Sequence, residues 1–213
     1  MTTAPVGVTA TSVSASQINV AWTATTGAAS YTVQRSTTSG GPYTTVGSPA
    51  TNSFSDTALT ANTTYYYVVE AVNAAGASAA SAQASATTGL AAPTGVTATA
   101  ASATQVNVAW TAVAGATSYT VQRSTTSGGP YSTVGSPTTA SFSDTGLTTN
   151  TTYYYVVIAV NASGSSLPSG QVSTTTLTAA PTGVTATGVS TSQINLTWTV
   201  VYGPPEVVER WTM

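Results

Sequence analysis

The sequence of 213 residues contains no histidine and no cysteine. Without histidine the chain lacks the usual general base near neutral pH, and without both residues it lacks the commonest metal ligands and any thiol nucleophile. Disulfide bonds are excluded as well, which leaves the redox compartment undecided because a domain of this size folds without them. We therefore expect no cofactor and no metal site.

Charged side chains are also scarce. Three basic and five acidic residues make up 4% of the chain and give a net charge of -2, whereas an ordinary soluble domain is about 25% charged. No basic stripe is available for nucleic acid, and no apolar run approaches the length of a membrane span. The first residues, MTTAPVGV, lack the charged and apolar regions of a signal peptide. We expect no nucleic-acid partner, no membrane insertion and no signal peptide at this N-terminus.

The residues that commonly carry catalysis are missing too. A serine nucleophile needs an activating base, and the sequence has neither histidine nor lysine to serve as one. A glycosidase needs two carboxylates about 5 to 9.5 Å apart, and the only closely spaced acids are Glu206 and Glu209, in a tail unlike the rest of the chain. We predict no catalytic residue and no enzymatic activity.

What the sequence does contain is a long internal repeat. The stretch SYTVQRSTTSGGPYTTVGSP from Ser30 returns at Ser118 with one change. Two sets of landmark residues recur every 88 positions: Pro5, Pro93 and Pro181, and Trp22, Trp110 and Trp198. A unit of this length is a small domain with its own core rather than one layer of a solenoid. The predicted domains are 4–88, 92–176 and a partial unit at 180–213.

Apolar residues alternate with polar ones along each unit. In QINVAW, Ile18, Val20 and Trp22 alternate with smaller or polar residues, and SYTVQR shows the same pattern. Turn-forming runs such as TTGAAS and TTSGGP separate these segments. Period-two runs bounded by turns are typical of strands in an all-β sandwich, and no helix is expected.

The run TYYYVVEAVN, preceded by DTALTAN, allows a family to be recognised. Together with the tryptophan of the second strand and the leading Ala-Pro, it resembles a fibronectin type III domain, especially the tandem units of secreted bacterial enzymes and surface proteins. The resemblance covers 4–176 and implies an extracellular or cell-surface location. It also implies that Trp22 and Trp110 fill the core, and that Tyr65 and Tyr153 are tyrosine-corner residues bonded to the preceding turn.

Within that fold the repeated stretch corresponds to a third strand, a Gly-Pro loop and the next strand. The loop TSGGPY could bind a partner, but its glycines and proline favour a simple turn. Arg35 and Asp56 are 21 residues apart, as are Arg123 and Asp144. We interpret each as a partly exposed structural ion pair rather than a binding site.

The outward side of TYYYVV carries an unusual stripe. If Tyr65, Tyr67 and Val69 point inward, the outward set is Tyr66, Val68, Val72, Tyr154, Val156, Ile158 and Val160. On a sheet face that is exposed to solvent, the outward residues are usually polar. Neighbouring domains or subunits could cover the stripe, a polysaccharide could stack on the two tyrosines, or the residues could be present for strand propensity alone.

The third unit matches only the first two strands of the family, A and B. Ile194, Leu196 and Trp198 occupy core positions, but the pattern fails from Gly203 onward. One interpretation is a truncated unit followed by unrelated sequence. The other is that a neighbouring chain completes the half-domain and so builds a filament or surface scaffold.

These observations predict a non-catalytic spacer array of an extracellular protein. Its linkers, TGLAAP and TLTAAP, are short and contain proline, and such linkers favour an extended rod. Its expected partners are other domains of a parent protein or copies of itself, with polysaccharide as a further candidate. The two alternative functions are self-assembly through the half-domain and binding through the outward tyrosines.

Overall fold

The computed structural model describes residues 2–200, and every regular element in that part of the chain is a β-strand. The all-β prediction is therefore confirmed. No helix in this range could cross a membrane. The tail with Glu206 and Glu209, weighed above as a carboxylate pair, lies outside the described residues.

The first domain consists of two antiparallel sheets. Its strands are β1 (Thr9–Ser12), β2 (Ile18–Ala21), β3 (Ser30–Ser36), β4 (Thr44–Gly47), β5 (Ser53–Asp56), β6 (Thr64–Asn73), β7 (Gly76–Ala77) and β8 (Ala84–Thr87). One sheet has the order β1-β2-β5, and the other has the order β4-β3-β6-β7, with β8 also paired to β6. The repeated stretch thus forms β3, its loop and β4, as predicted.

The core of this domain lies between the two sheets. Side chains on a strand alternate between its faces, so Ile18 and Val20 of β2, and Trp22 directly after it, point inward, where they are almost completely buried. They pack in one cluster with the inward side chains of β3 and β6. The Trp22 ring meets that of Tyr31 edge-on, with centroids 5.1 Å apart. The expected core position of the tryptophan is confirmed.

The tyrosine corner is also present. The Tyr65 ring is buried, and its hydroxyl accepts a hydrogen bond of 3.0 Å from the backbone N–H of Thr60. In the second domain Tyr153 accepts the equivalent bond from Thr148 at 3.0 Å. Each bond ties the start of the long strand to the turn that precedes it.

The second domain repeats this architecture. Its strands are β9 (Thr97–Ala100), β10 (Gln105–Ala109), β11 (Ser118–Ser124), β12 (Ser132–Gly135), β13 (Ser141–Thr145), β14 (Thr152–Asn161), β15 (Gly164–Ser165) and β16 (Val172–Thr175). The sheet orders are β13-β10-β9 and β12-β11-β14-β15, with β16 also paired to β14. Trp110 is buried and meets Tyr119 edge-on at 5.1 Å, like its counterpart in the first domain.

The third unit forms a two-stranded antiparallel hairpin, β17 (Thr182–Ser190) and β18 (Gln193–Thr199). Its strands pair only with each other in the described chain. Ile194 and Leu196 are 66% and 40% exposed, and Trp198 is partly exposed. Residues at core positions of the family are therefore on the surface here.

Candidate interaction surfaces

Each domain buries one carboxylate, and both of its oxygens are hydrogen-bonded within the domain. Asp56 at the end of β5 is 5% exposed, and both of its carboxylate oxygens accept from Nη1 of Arg35 at 2.9 Å. The hydroxyl of Tyr67, a fully buried residue, donates to the same carboxylate at 2.8 Å. The Arg35 guanidinium also lies over the Tyr65 ring, 5.2 Å from its centroid. This structural role agrees with the sequence interpretation.

The second domain has the same network. Arg123 donates to Asp144 at 2.9 and 2.8 Å, and Tyr155 donates to that carboxylate at 2.9 Å. Burial raises the pKa of Tyr155, and the Asp144 charge and hydrogen bond raise it further. Burial likewise raises the pKa of Tyr67, with Asp56 adding to the effect. Both phenols therefore stay protonated at neutral pH and act as hydrogen-bond donors.

The role of tyrosine in this network was not predicted from the sequence. The strand pattern predicted that Tyr67 points inward, and the spacing predicted the pair of Asp56 with Arg35, but neither signal connected Tyr67 with Asp56. The available signal was the buried hydroxyl itself, because a tyrosine in the core normally finds a hydrogen-bond partner.

The loop between β3 and β4 uses its polar groups internally. The Gln83 side-chain oxygen accepts from the backbone N–H of Gly40 at 2.8 Å and from the Tyr43 hydroxyl at 2.6 Å, and its amide donates to Ser39 at 3.2 Å. Gly41 has a φ of 96°, a conformation that disfavours a side chain. The geometry matches the turn interpretation of TSGGPY.

Gln171 repeats these contacts in the second domain, with Gly128, Tyr131 and Ser127 as partners. Neither glutamine was predicted from the sequence to have a role, although Gln83 and Gln171 are separated by the repeat length of 88 residues.

A shallow depression of about 260 Å³ lies beside Arg123 on the second domain, lined also by Thr125, Thr126 and Pro130. The arginine charge is offset by Asp144 at 2.8 Å, so the depression offers little net attraction for an anion. Within residues 2–200 no three acidic side chains come together as a metal site. The depression carries no evident chemistry.

The predicted outward stripe is only partly exposed. Val68 and Val156 are each 6% exposed, so the prediction that they face solvent is wrong. Val68 lies opposite Gln34 on β3 in the middle of the longest strand, between the same-face side chains of Tyr66 and Glu70. We attribute the burial of the short valine to these longer neighbouring side chains on a central strand. The other stripe residues, Tyr66, Val72, Tyr154, Ile158 and Val160, are half-buried.

The two stripe tyrosines have similar small neighbours. Tyr66 lies opposite Ser36 on β3 and Ser85 on β8, and Tyr154 lies opposite Ser173 on β16. Serine is too short to cover a phenol ring. Tyr66 and Tyr154 are accordingly partly exposed on the outer face of their own sheets.

Comparison with known families matches these features. The family model described as "Fibronectin type III domain" matches residues 3–87 and 91–176. The chain belongs to the fibronectin type III family. The ion pair and the tyrosine corner described above thus lie within two fibronectin type III domains, and the β17–β18 hairpin follows the second match.

The most similar fibronectin type III relatives include two bacterial enzymes. Exoglucanase B of Cellulomonas fimi is 33% identical over 223 residues, which cover 92% of this chain and 19% of that protein. Poly(3-hydroxybutyrate) depolymerase of Ralstonia pickettii is 46% identical over 89 residues, covering 41% of this chain and 17% of that protein. The chain thus spans less than a fifth of either enzyme.

Among solved structures, a two-domain fibronectin type III segment of chicken tenascin aligns with 80% of this chain and 99% of its own length, at 19% identity and a TM-score of 0.48.

Proposed function

We propose that this chain is a non-catalytic spacer of an extracellular protein, holding or displaying other domains. The observation that carries the proposal is that the buried carboxylate and the loop glutamine of each domain are hydrogen-bonded within that domain. The Asp56 and Asp144 networks and the Gln83 and Gln171 loop contacts are all of this kind. These groups hold the sandwich together and are therefore not free to act on a substrate.

The relatives support this proposal. In both enzymes the matching segment is a small fraction of a much longer protein, as expected of a module attached to a separate catalytic domain. The resemblance to tandem units of secreted bacterial proteins supports the extracellular location.

The physical basis of spacing is a folded body of fixed length. The longest strand, β6, has 10 residues and at about 3.3 Å per residue spans about 33 Å. A folded sandwich of that length holds its own ends apart. The chain contains no histidine, so no imidazole titrates near neutral pH to loosen it.

The test places the 213-residue chain between two fluorescent proteins and measures the distance distribution by single-molecule energy transfer. The control is a Gly/Ser linker of the same length, whose root-mean-square span is about 80 Å with a wide distribution. A clearly narrower distribution for this chain is expected. A distribution as wide as that of the linker, or release of sugar from cellulose or of monomer from poly(3-hydroxybutyrate) by the chain alone, would contradict the proposal.

Polysaccharide binding is the second candidate function. It is favoured by the partly exposed tyrosines Tyr66 and Tyr154, which lie at equivalent places on the two outer faces, because tyrosine offers a flat apolar face beside a polar hydroxyl. The double variant Tyr66→Ala/Tyr154→Ala should then lose retention on an insoluble polysaccharide such as cellulose. The matched control is Tyr43→Ala/Tyr131→Ala, which removes two partly exposed loop tyrosines. Equal retention of both variants, or none for the unmodified chain, would exclude this function.

A further inference from the structure

A segment that is not a strand interrupts one edge of the sheet that contains β6. We call residues 78–83, SAASAQ, the strap, and it lies between β7 and β8. Both of those strands pair with β6. Four residues of the strap are exposed, and only Ser78 is buried. The strap therefore has little apolar contact with the core, and hydrogen bonds hold it in place.

Two serines replace strand pairing between the strap and β6. The backbone N–H of Ser81 donates to the carbonyl of Val69 at 2.9 Å, and the Val69 N–H donates back to the Ser81 hydroxyl at 3.0 Å. Ser78 makes the same two bonds with Ala71, at 2.8 and 3.0 Å. In an ordinary antiparallel pair both acceptors are backbone carbonyls. Two of these four bonds therefore depend on serine side chains.

The far end of the strap holds the β3–β4 loop, residues 37–43. Gln83 accepts from the Gly40 N–H at 2.8 Å and from the Tyr43 hydroxyl at 2.6 Å, and it donates to Ser39 at 3.2 Å. Gln83 is only two residues from Ser81. A displacement of the strap from β6 therefore also moves the side chain on which the loop depends.

The second domain repeats the arrangement in residues 166–171, SLPSGQ. The N–H of Val157 donates to the Ser169 hydroxyl at 3.0 Å, and the Ser169 N–H donates to the Val157 carbonyl at 2.9 Å. Gln171 accepts from Gly128 at 2.7 Å. The two residues between the serines differ in the two straps, whereas both serines and the glutamine are the same. The residues shared by the two domains are those that make the contacts.

We propose that the strap and the β3–β4 loop form a latch, which opens and closes as one unit while the rest of the first domain stays folded. Segments with exposed hydrogen bonds and few buried apolar contacts open locally at low free energy. In the open state the loop loses Gln83, and the backbone of Val69 and Ala71 loses its partners on the strap. Both of these residues are fully buried in the closed state, so opening uncovers the edge of the longest strand.

The first experiment is hydrogen exchange of the full chain, followed for single amides by NMR. In the unmodified protein the amides of Gly40, Val69 and Ser81 should have similar protection factors, because one opening exposes all three. These factors should be lower than those of the β2 amides, whose exchange requires opening of the core.

Variants of Gln83 test whether the strap and the loop are coupled. Gln83→Ala should speed exchange of all three amides about two- to tenfold, the equivalent of one net hydrogen bond. Gln83→Glu keeps an acceptor oxygen for the loop and should have a smaller effect. The matched control is Ser85→Ala, an exposed position on β8, which should change nothing. The second-domain amides of Gly128 and Val157 should also be unchanged.

A change within the strap gives the reciprocal test. Ala80→Pro restricts the open chain, and proline fits there because Pro168 occupies the equivalent place in the second strap. The variant should slow exchange of the Ser81 amide about two- to fivefold, and the loop amide of Gly40 should slow by the same factor. An unchanged Gly40 amide would overturn the proposal. So would an effect of Gln83→Ala on Gly40 alone, or β2 amides that exchange as fast as the strap in the unmodified protein.

Discussion

Removal of the Asp56 carboxylate tests what stabilises the first domain. Asp56→Ala removes the acceptor of the hydroxyl of Tyr67, a fully buried residue. A buried donor left without a hydrogen-bond partner costs about 1 to 3 kcal/mol. The pair with Arg35 adds less, because that side chain is 29% exposed, and exposed pairs contribute about 0.2 to 1 kcal/mol. We expect a loss of about 1 to 4 kcal/mol in the free energy of unfolding.

The assay is urea unfolding, combined with hydrogen exchange of β6 and β14 to follow each domain separately. Only the first domain should be destabilised by Asp56→Ala, and the equivalent Asp144→Ala should affect only the second. Asp56→Asn should cost less, because its amide oxygen still accepts from Tyr67.

A double-mutant cycle separates the two contributions. If the unpaired hydroxyl accounts for most of the loss, Tyr67→Phe should lower stability in the unmodified chain. It should lower it little or not at all after Asp56→Ala, because the hydroxyl has already lost its partner. Additive costs of the two changes would refute this reasoning, as would a loss below about 0.5 kcal/mol for Asp56→Ala alone.

Two further predictions follow from buried residues. Burial and Asp56 raise the pKa of Tyr67 above its ordinary value of 10.0, so its contribution is complete below pH 10. Above that pH the unfolded chain releases the proton first, and stability should fall by up to about 1.4 kcal/mol per pH unit for each such tyrosine. Urea midpoints measured between pH 9 and 11.5 should fall less for Tyr67→Phe than for the unmodified chain. An equal fall would contradict the assignment. Val68→Ala should lower the free energy of unfolding in urea by about 1 to 2 kcal/mol, because the valine is 6% exposed. Val72 is partly exposed on the same strand, so Val72→Ala should lower it less. Equal losses would mean that burial of Val68 contributes nothing.

The fold was predictable because its signals are local and repeated. Alternation in QINVAW and SYTVQR identified strands with Ile18, Val20 and Tyr31 pointing inward, and each of these is buried. The 21-residue spacing of Arg35 and Asp56 also identified a real ion pair, since it recurs in the second unit. A spacing that recurs in both units is stronger evidence for a contact than the same spacing in one unit.

Burial on the outer face was not predictable in the same way. Alternation assigns a residue to a face of its strand, but exposure also depends on the length of the neighbouring side chains. Val68 and Tyr66 share a face, yet Gln34 lies opposite the valine and Ser36 opposite the tyrosine. Those neighbours come from a strand about 30 residues earlier, so strand pairing had to be known before Val68 could be recognised as buried.

The hairpin makes the same distinction between local and long-range information. Ile18 and Ile194 occupy the same register position in segments of similar sequence, and one is fully buried while the other is 66% exposed. The local sequence is therefore sufficient to specify pairing and side-chain direction, while burial depends on a second sheet contributed by a different segment. Two strands alone are marginal in water. The β18 amides should therefore exchange faster than those of β2 in a hydrogen-exchange experiment. Equal protection of the two strands would mean that the second sheet adds nothing to the stability of the pairing.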